Sequence, residues 1–411
     1  MKKLKLSNDV SLIIKNNPKT PRVACVLFFE IKNKDVKPGV YTLLKRLFLQ
    51  GTKTRSAEAL AEELEQNAID CYCNAQNDYI RFSTLCLNEN FEKSIDILSD
   101  IVKNSTFENF DKEVYKTKGE FEADLDSPKT SAFDNFTKTI YAEHFYGNSY
   151  TKILESIDSI TKEDIIDAYE YLLEFSHKTV VVVGDIPEDV IIQTFENKFG
   201  FLKNSDLSQN PETSMILNEK QVVTIAKEDA QQAQIIQGWL VPSLYSSEYP
   251  AFILLDNILG SSGLSSRLFL ELRDKKGLAY TVRSFYDSYK EGANFAVYIG
   301  TEPSNIKTAL DGFKFEIERL KNELVSDEEL ENAKNNIIGK RLFYKETNFN
   351  QALLLGKLEM TGKGYEFEEQ LISQIKGVTK EDVQNVAKNY LDEDYVLSVL
   401  APSSYLEQIR G

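Results

Sequence analysis

Metal-binding and redox-active residues are scarce in this chain, which has two histidines and four cysteines among 411 residues. Cys25, Cys71, Cys73 and Cys86 are too few and too scattered for a disulfide framework at this size, and a reducing cytoplasm suits them best. The Cys71-Tyr72-Cys73 run lacks the C-x-x-C spacing of zinc sites, so buried, apolar thiols are expected. His144 and His177 cannot form a metal site by their spacing. No segment approaches the ~18 apolar residues that span a bilayer. The opening MKKLKLSNDVSLII has neither an uninterrupted apolar stretch nor a small-residue cleavage site, so no signal peptide is expected. Basic residues are outnumbered 48 to 64, for a net charge of −16, which argues against a nucleic-acid partner. A solvated acidic surface is the plain consequence, and neutral or basic peptides are compatible with it.

What is present is ample apolar material, 42% of residues, in a chain long enough for two domains. Two internal echoes organise it. ITKEDI at residues 160–165 recurs as VTKEDV at 378–383, each followed by a helix-like stretch and a β-rich segment. Thr and the Asp three residues later open each helix as a capping-box variant. GVYTLLKRLF from Gly39 is echoed by AFILLDNILG from Ala251. Both echoes lie somewhat more than 210 residues apart, which makes a duplicated domain the expectation. The polar stretch around residues 203–214 marks the boundary. The expected organisation is an N-terminal domain over residues 1–202, a linker over 203–216 and a C-terminal domain over 217–411.

Within the first half, LSNDVSLIIKNN and RVACVLFFEIK predict an opening pair of strands, and residues 71–87 predict a hairpin. Phe91, Ile95, Leu98 and Val102 fall on one helical face. Strands and helices in this order predict α+β halves, each a sheet backed by helices.

Residues 39–52 read GVYTLLKRLFLQGT. Val40, Leu43, Leu44, Leu47 and Phe48 form the apolar stripe of a core-facing helix, while Thr42, Lys45 and Arg46 share another face. The segment resembles the one that carries the inverted zinc motif H-x-x-E-H in the insulinase/pitrilysin family. Gly39, Gly51 and Thr52 match the flanks, but Thr42, Lys45 and Arg46 stand where the family has His, Glu and His. Lysine and arginine offer no lone pair, and two cations repel a dication, so no metal is expected in this chain. The family's third ligand is a glutamate on a later helix. GEFEADLDSP at 119–128 puts Glu120 there, either paired with Arg46 or Lys45 or simply solvated.

The second half departs less from the family. GSSGLSSRLFLELRDKKGLAYTVR at 260–283 resembles its second-domain signature, with Gly277 placed to end a helix and Leu278–Val282 to open a strand. Spacing alone reads Arg273 as a helix-end cap and Tyr280 as a filler of the sheet. The resemblance implies that they are substrate- and oxyanion-binding groups, and a guanidinium and a phenol suit that charge. SDEELENAKNNIIGKRL from Ser326 is also family-like, with Ser326 and Glu329 as a capping box.

The resemblance covers nearly the whole chain and implies two homologous α/β-roll domains, antiparallel-rich sheets backed by helices, forming half of a clam-shaped chamber. It further implies the non-metal subunit of a heterodimeric, cytoplasmic zinc metallopeptidase, inactive alone. That subunit has no cofactor of its own, zinc being expected in a partner that bears H-x-x-E-H. It would bind peptides as an added strand, with Asn74 and Ala75 on the binding edge. The alternative is an inactive scaffold or peptide-binding protein of the same fold, as a homodimer or within a larger assembly.

Overall fold

The computed structural model describes residues 1–209 and 215–409; part of the expected linker, 210–214, lies outside the described residues. The chain divides into two units, each discontinuous in sequence. Unit 1 comprises Met1–Glu120, Ile153–Gln209 and Leu342–Phe367; unit 2 comprises Phe121–Lys152, Asn210–Arg341 and Glu368–Gly411.

Unit 1 is built on strands β1 (Lys2–Lys5), β2 (Ser11–Asn16), β3 (Arg22–Glu30), β4 (Asp70–Ala75), β5 (Tyr79–Leu87) and β6 (Lys178–Gly184), in the order β1-β2-β6-β3-β5-β4. The two opening strands form as β2 and β3, but they are not neighbours. β6 lies between them, parallel to β2 and antiparallel to β3. Its sequence KTVVVVG explains the insertion: all seven residues are buried, which suits a central strand covered on both faces. The predicted hairpin is β4–β5, in antiparallel register from Asp70 opposite Leu85 to Ala75 opposite Ile80.

Unit 2 repeats this plan with β7 (Gln221–Ala226), β8 (Ala233–Val241), β9 (Ala279–Ser288), β10 (Ala293–Thr301) and β11 (Val396–Ala401), ordered β7-β11-β8-β10-β9. β7–β11 is parallel, like β2–β6, and the other pairings are antiparallel. Strand for strand, β2-β6-β3-β5-β4 matches β7-β11-β8-β10-β9, as a duplicated domain requires. The architecture is the expected α+β one, two mostly antiparallel sheets backed by helices.

Helices α1 (Val40–Leu47), α2 (Ala57–Gln66), α3 (Phe91–Asn104), α7 (Lys162–Phe175) and α8 (Glu188–Phe199) belong to unit 1. Helices α9 (Tyr249–Asp256), α10 (Ile306–Asn322), α14 (Lys380–Tyr390) and α15 (Ser403–Leu406) belong to unit 2. Both echoed capping boxes form: Thr161 with Asp164 opens α7, and Thr379 with Asp382 opens α14. The stripe Phe91, Ile95, Leu98 and Val102 is buried along α3, as its spacing predicts. Helices α4 (Phe110–Asp126), α6 (Tyr150–Ser156), α11 (Asp327–Tyr344) and α13 (Phe367–Gly377) each contribute residues to both units.

The remaining two helices are exchanged. α5 (Pro128–Ile140) lies early in the chain yet packs on unit 2, its Ala132, Phe136 and Ile140 joining Ile236, Ala296, Val396 and Leu400 in one core. α12 (Asn348–Met360) lies late yet packs on unit 1, with Ala352, Leu355 and Met360 against Val26, Phe28, Val181 and Val183.

Candidate functional site

Helix α1 is set by its apolar stripe: Val40, Leu43, Leu44, Leu47 and Phe48 are all buried. Gly39 enters it at φ 101°, a left-handed conformation, where an added Cβ would also lie 2.9 Å from Ile153. Gly51 leaves it at φ 114°. Thr52 anchors the exit by donating to Asp100 of α3 at 2.6 Å. Asp100 also accepts from Thr54 and Arg55, both at 2.7 Å, and these bonds hold its carboxyl down at about 2 against the opposing effect of burial. The packing that would carry a metal motif is therefore intact.

The chemistry on its other face is not that of a metal site. Thr42, Lys45 and Arg46 are half-buried together, and Arg46 Nη2 donates to Glu120 Oε2 of α4 at 2.5 Å. This ion pair joins the position of the second motif histidine to that of the later glutamate, and it holds the Glu120 carboxyl below its ordinary value. Glu120 is 55% exposed, so the pair contributes only about 0–1 kcal/mol to stability. Arg46 Nε is buried without a hydrogen-bond partner. Burial lowers the Lys45 ammonium from its usual value, and the Arg46 charge adds to the shift. Two crowded cations and one engaged carboxylate do not fit a divalent metal. Among the described residues no cluster of His, Cys, Asp and Glu is arranged to hold one.

The remaining candidate ligands are engaged elsewhere or inert. His144 lies 2.9 Å from Glu291 in unit 2, and His177 lies 2.8 Å from the Ser205 carbonyl in unit 1. All four cysteines are free thiols, Cys25 and Cys86 buried and Cys71 and Cys73 half-buried. Burial pushes the thiols up, Cys71 to about 12, which keeps them protonated and unreactive at neutral pH.

Asn74 and Ala75 end β4, which among the described residues pairs with β5 alone and so presents an open sheet edge. α1 packs beside this strand, and the Lys45 charge acts on the Cys73 thiol of β4. The degenerate motif face and the open edge are thus neighbours within unit 1.

In unit 2 the signature segment winds as π-helix over Phe269–Lys275, anchored by buried Leu268 and Leu272. Gly277 at φ 64° ends it, and β9 begins at Ala279. Arg273 is held between two rings, its guanidinium carbon 4.8 Å from the centroids of both Phe269 and Tyr280. Its Nη1 donates to the Tyr280 carbonyl at 2.5 Å. Tyr280 is 79% exposed at the start of edge strand β9, so its phenol faces solvent. Sequence reading missed Arg267, in the same signature. It is buried and grips Glu329 with two bonds, at 2.8 and 3.0 Å. Glu329 is also the partner of Ser326 in the predicted capping box. An arginine inside the signature, with a capping glutamate in the next family-like segment, was the available signal.

The family model of the insulinase family, peptidase family M16, matches residues 11–152, and that of the peptidase M16 inactive domain matches residues 159–337. The chain belongs to the insulinase family. An uncharacterized zinc protease of Bacillus subtilis is 25% identical over 410 residues, 98% of each chain. Another, of Rickettsia felis, is 25% identical over 97% of each chain. Among solved structures, a peptidase M16 inactive domain from Pseudomonas fluorescens matches with a TM-score of 0.84 at 19% identity over 98% of each chain. A protease from Helicobacter pylori matches with a TM-score of 0.86 at 20% identity, covering 98% of this chain and 99% of that one. Within the insulinase family this chain is an inactive-type homologue: its fold is kept and its motif residues are replaced. No helix among the described residues is long and apolar enough to cross a membrane.

Proposed function

We propose that this chain is the non-metal subunit of a heterodimeric zinc metallopeptidase. One observation carries the reading: the motif face of α1 is filled by the Arg46–Glu120 ion pair, while Tyr280 stands exposed beside an ordered Arg273. Zinc in a homologous partner that keeps H-x-x-E-H would polarise the scissile carbonyl and activate a water. This chain's part is to offer Arg273 and Tyr280 to the substrate and the developing oxyanion in trans, and to hold peptide along the β4 edge at Asn74 and Ala75. The free thiols fit a reducing cytoplasm.

The test is to purify the chain alone and with an H-x-x-E-H homologue, then measure zinc content and cleavage of a quenched fluorescent peptide. The expected outcome is zinc and cleavage only in the pair, with Arg273→Ala or Tyr280→Phe lowering kcat roughly 10²-fold, as loss of an oxyanion donor does. Undiminished cleavage in both variants overturns the assignment.

A second reading, an inactive scaffold or peptide-binding protein of the same fold, draws on the Arg273 guanidinium already being held by two rings and a carbonyl. It predicts a stable assembly without zinc-dependent cleavage under any pairing.

A further inference from the structure

Arg81 is the third residue of β5, directly opposite Asn74 of the edge strand β4. It is half-buried, and its Nη1 is buried with no hydrogen-bond partner. The chain has 64 acidic residues, yet none pairs with Arg81 among the described residues. A guanidinium nitrogen withdrawn from water without an acceptor is unfavourable, and the guanidinium fork is best matched to a carboxylate. Its environment is aromatic. The guanidinium carbon lies 5.8 Å from the ring centroid of Phe349, in the first turn of α12. Phe349 also lines a cavity of about 800 Å³ with Ala24, Leu85 and Leu87, a volume in the range of ligand sites. Alternation places Arg81, Ser83 and Leu85 of β5 and Tyr72 and Asn74 of β4 on one sheet face, and Tyr72 is 53% exposed there.

We infer that Arg81 is the anchor for a carboxylate on a peptide laid along the open edge of β4. The inference rests on the reading of β4 as a peptide-binding edge and adds what that edge selects. Arg81 and Leu85 are four residues apart on one face, so the preferred peptide carries its carboxylate four positions from an apolar side chain that covers the cavity. The carboxylate is that of an acidic side chain within the peptide, since the four-residue spacing sets it inside the added strand.

Fluorescence anisotropy with the full chain alone tests this. The probe is a labelled, amidated nonapeptide, Leu-Thr-Val-Thr-Glu-Thr-Val-Thr-Leu, whose symmetric leucines serve either strand direction. The same peptide with a central Gln is the control, and the Gln peptide with a free C-terminal acid tests whether a terminal carboxylate, out of the required spacing, binds instead. The Glu peptide is expected to bind roughly tenfold more tightly than either Gln peptide, and a preference for the free-acid Gln peptide over the Glu peptide overturns the inference. Arg81→Gln should bring all three together, and Arg81→Lys should restore part of the preference because a point charge lacks the fork. Equal binding of all three by the native chain overturns the inference even if no variant folds, as does a preference that survives Arg81→Gln. Loss of paired cleavage with the preference intact overturns the subunit reading alone.

Discussion

In unit 1 the sheet supplies an aromatic ring and the covering helix supplies a gap, whereas in unit 2 the roles are reversed. Phe28 of β3 fits against Gly356 of α12, where an added Cβ would lie 2.0 Å from the ring. In unit 2, Gly238 of β8 is the gap, where a Cβ would lie 2.5 Å from Phe136 of α5. The positions correspond. α5 and α12 are both 13 residues long, and Phe136 and Gly356 are the ninth residue of each. Phe28 and Gly238 occupy matching sites in the duplicated sheets, opposite Thr179 and Val396. If α5 covered the sheet of unit 1, two rings would compete for one space. If α12 covered that of unit 2, two glycines would leave a void. A reversal of one large–small pair thus specifies which helix covers which sheet, as interdigitated cores do.

A second difference concerns how the units are closed. In unit 1, β1 pairs with β2 and α8 lies against α3, tied by Ser7 to Glu196 and by Lys198 to Asp96. Ile95, the fifth residue of α3, is fully buried there. Unit 2 has no counterpart of β1 among the described residues, and α8 is matched only by the four-residue α15. Leu310, the fifth residue of α10, is half-buried beside a cavity of about 400 Å³ that Trp239 and Tyr395 also line. The unit whose metal motif is replaced is therefore the one that has the additional strand and the longer closing helix. Replacement of the motif was a local change on one helix face, not a general loosening of that half.

The strongest way to break this view is to rebuild the motif. Thr42→His, Lys45→Glu and Arg46→His together place two imidazoles and a carboxylate on α1, with Glu120 already within reach of position 46. If the change was local, the triple variant should take up about one zinc per chain, with a sub-micromolar Kd in chelator competition, and Glu120→Gln should abolish it. A folded triple variant without zinc would mean that more than these side chains has been lost.

The next effect tests the reversed large–small pair. Gly356→Ala should lower stability by about 1–3 kcal/mol in denaturant unfolding, because backbone and ring must move apart. In a Phe28→Leu background the same substitution should cost less, since the two sites share one space. Additive losses would show that Phe28 does not set the gap.

These contacts also explain what the amino-acid order reveals and what it hides. The α1 stripe, the two capping boxes and the β4–β5 hairpin follow from periodicity or from residues three positions apart, so they can be read locally. The lost motif is visible for the same reason, as Thr42, Lys45 and Arg46 lie within one turn and a half. The helix exchange is not visible, because it depends on Phe136 meeting Gly238 and Phe28 meeting Gly356 across long stretches of chain. The place of β6 between β2 and β3 is likewise a non-local pairing, and only its unbroken valine run hints at a central strand. That Arg81 lacks an acidic partner appears only once every neighbouring carboxylate has been placed.

The last test reads a pair of opposite pH slopes, one from each unit. Lys178 in β6 is fully buried and donates to the carbonyls of Ser176 and Lys203, at 2.8 and 2.6 Å. Burial, with a contribution from Lys32, brings its ammonium down to about 7. Between pH 7 and roughly 10 the unfolded chain therefore holds a proton that the folded chain has released, and Lys178 makes stability rise with pH. Asp256 in α9 accepts from Ser284 Oγ at 2.6 Å, and burial raises its carboxyl to about 6 against the effects of Ser284, Ser261 and Lys340. Between pH 4 and 6 the folded chain keeps a proton that the unfolded chain has lost, so Asp256 makes stability fall as pH rises. Neither slope can exceed about 1.4 kcal/mol per pH unit, the limit for one proton. Denaturant unfolding across pH 4–9 reads both. Lys178→Met should flatten the curve above pH 7 and leave the acid limb alone, while Asp256→Asn should flatten only the segment between pH 4 and 6. The slopes matter more than the levels, because Lys178→Met also strips two carbonyls of their donor and lowers stability throughout.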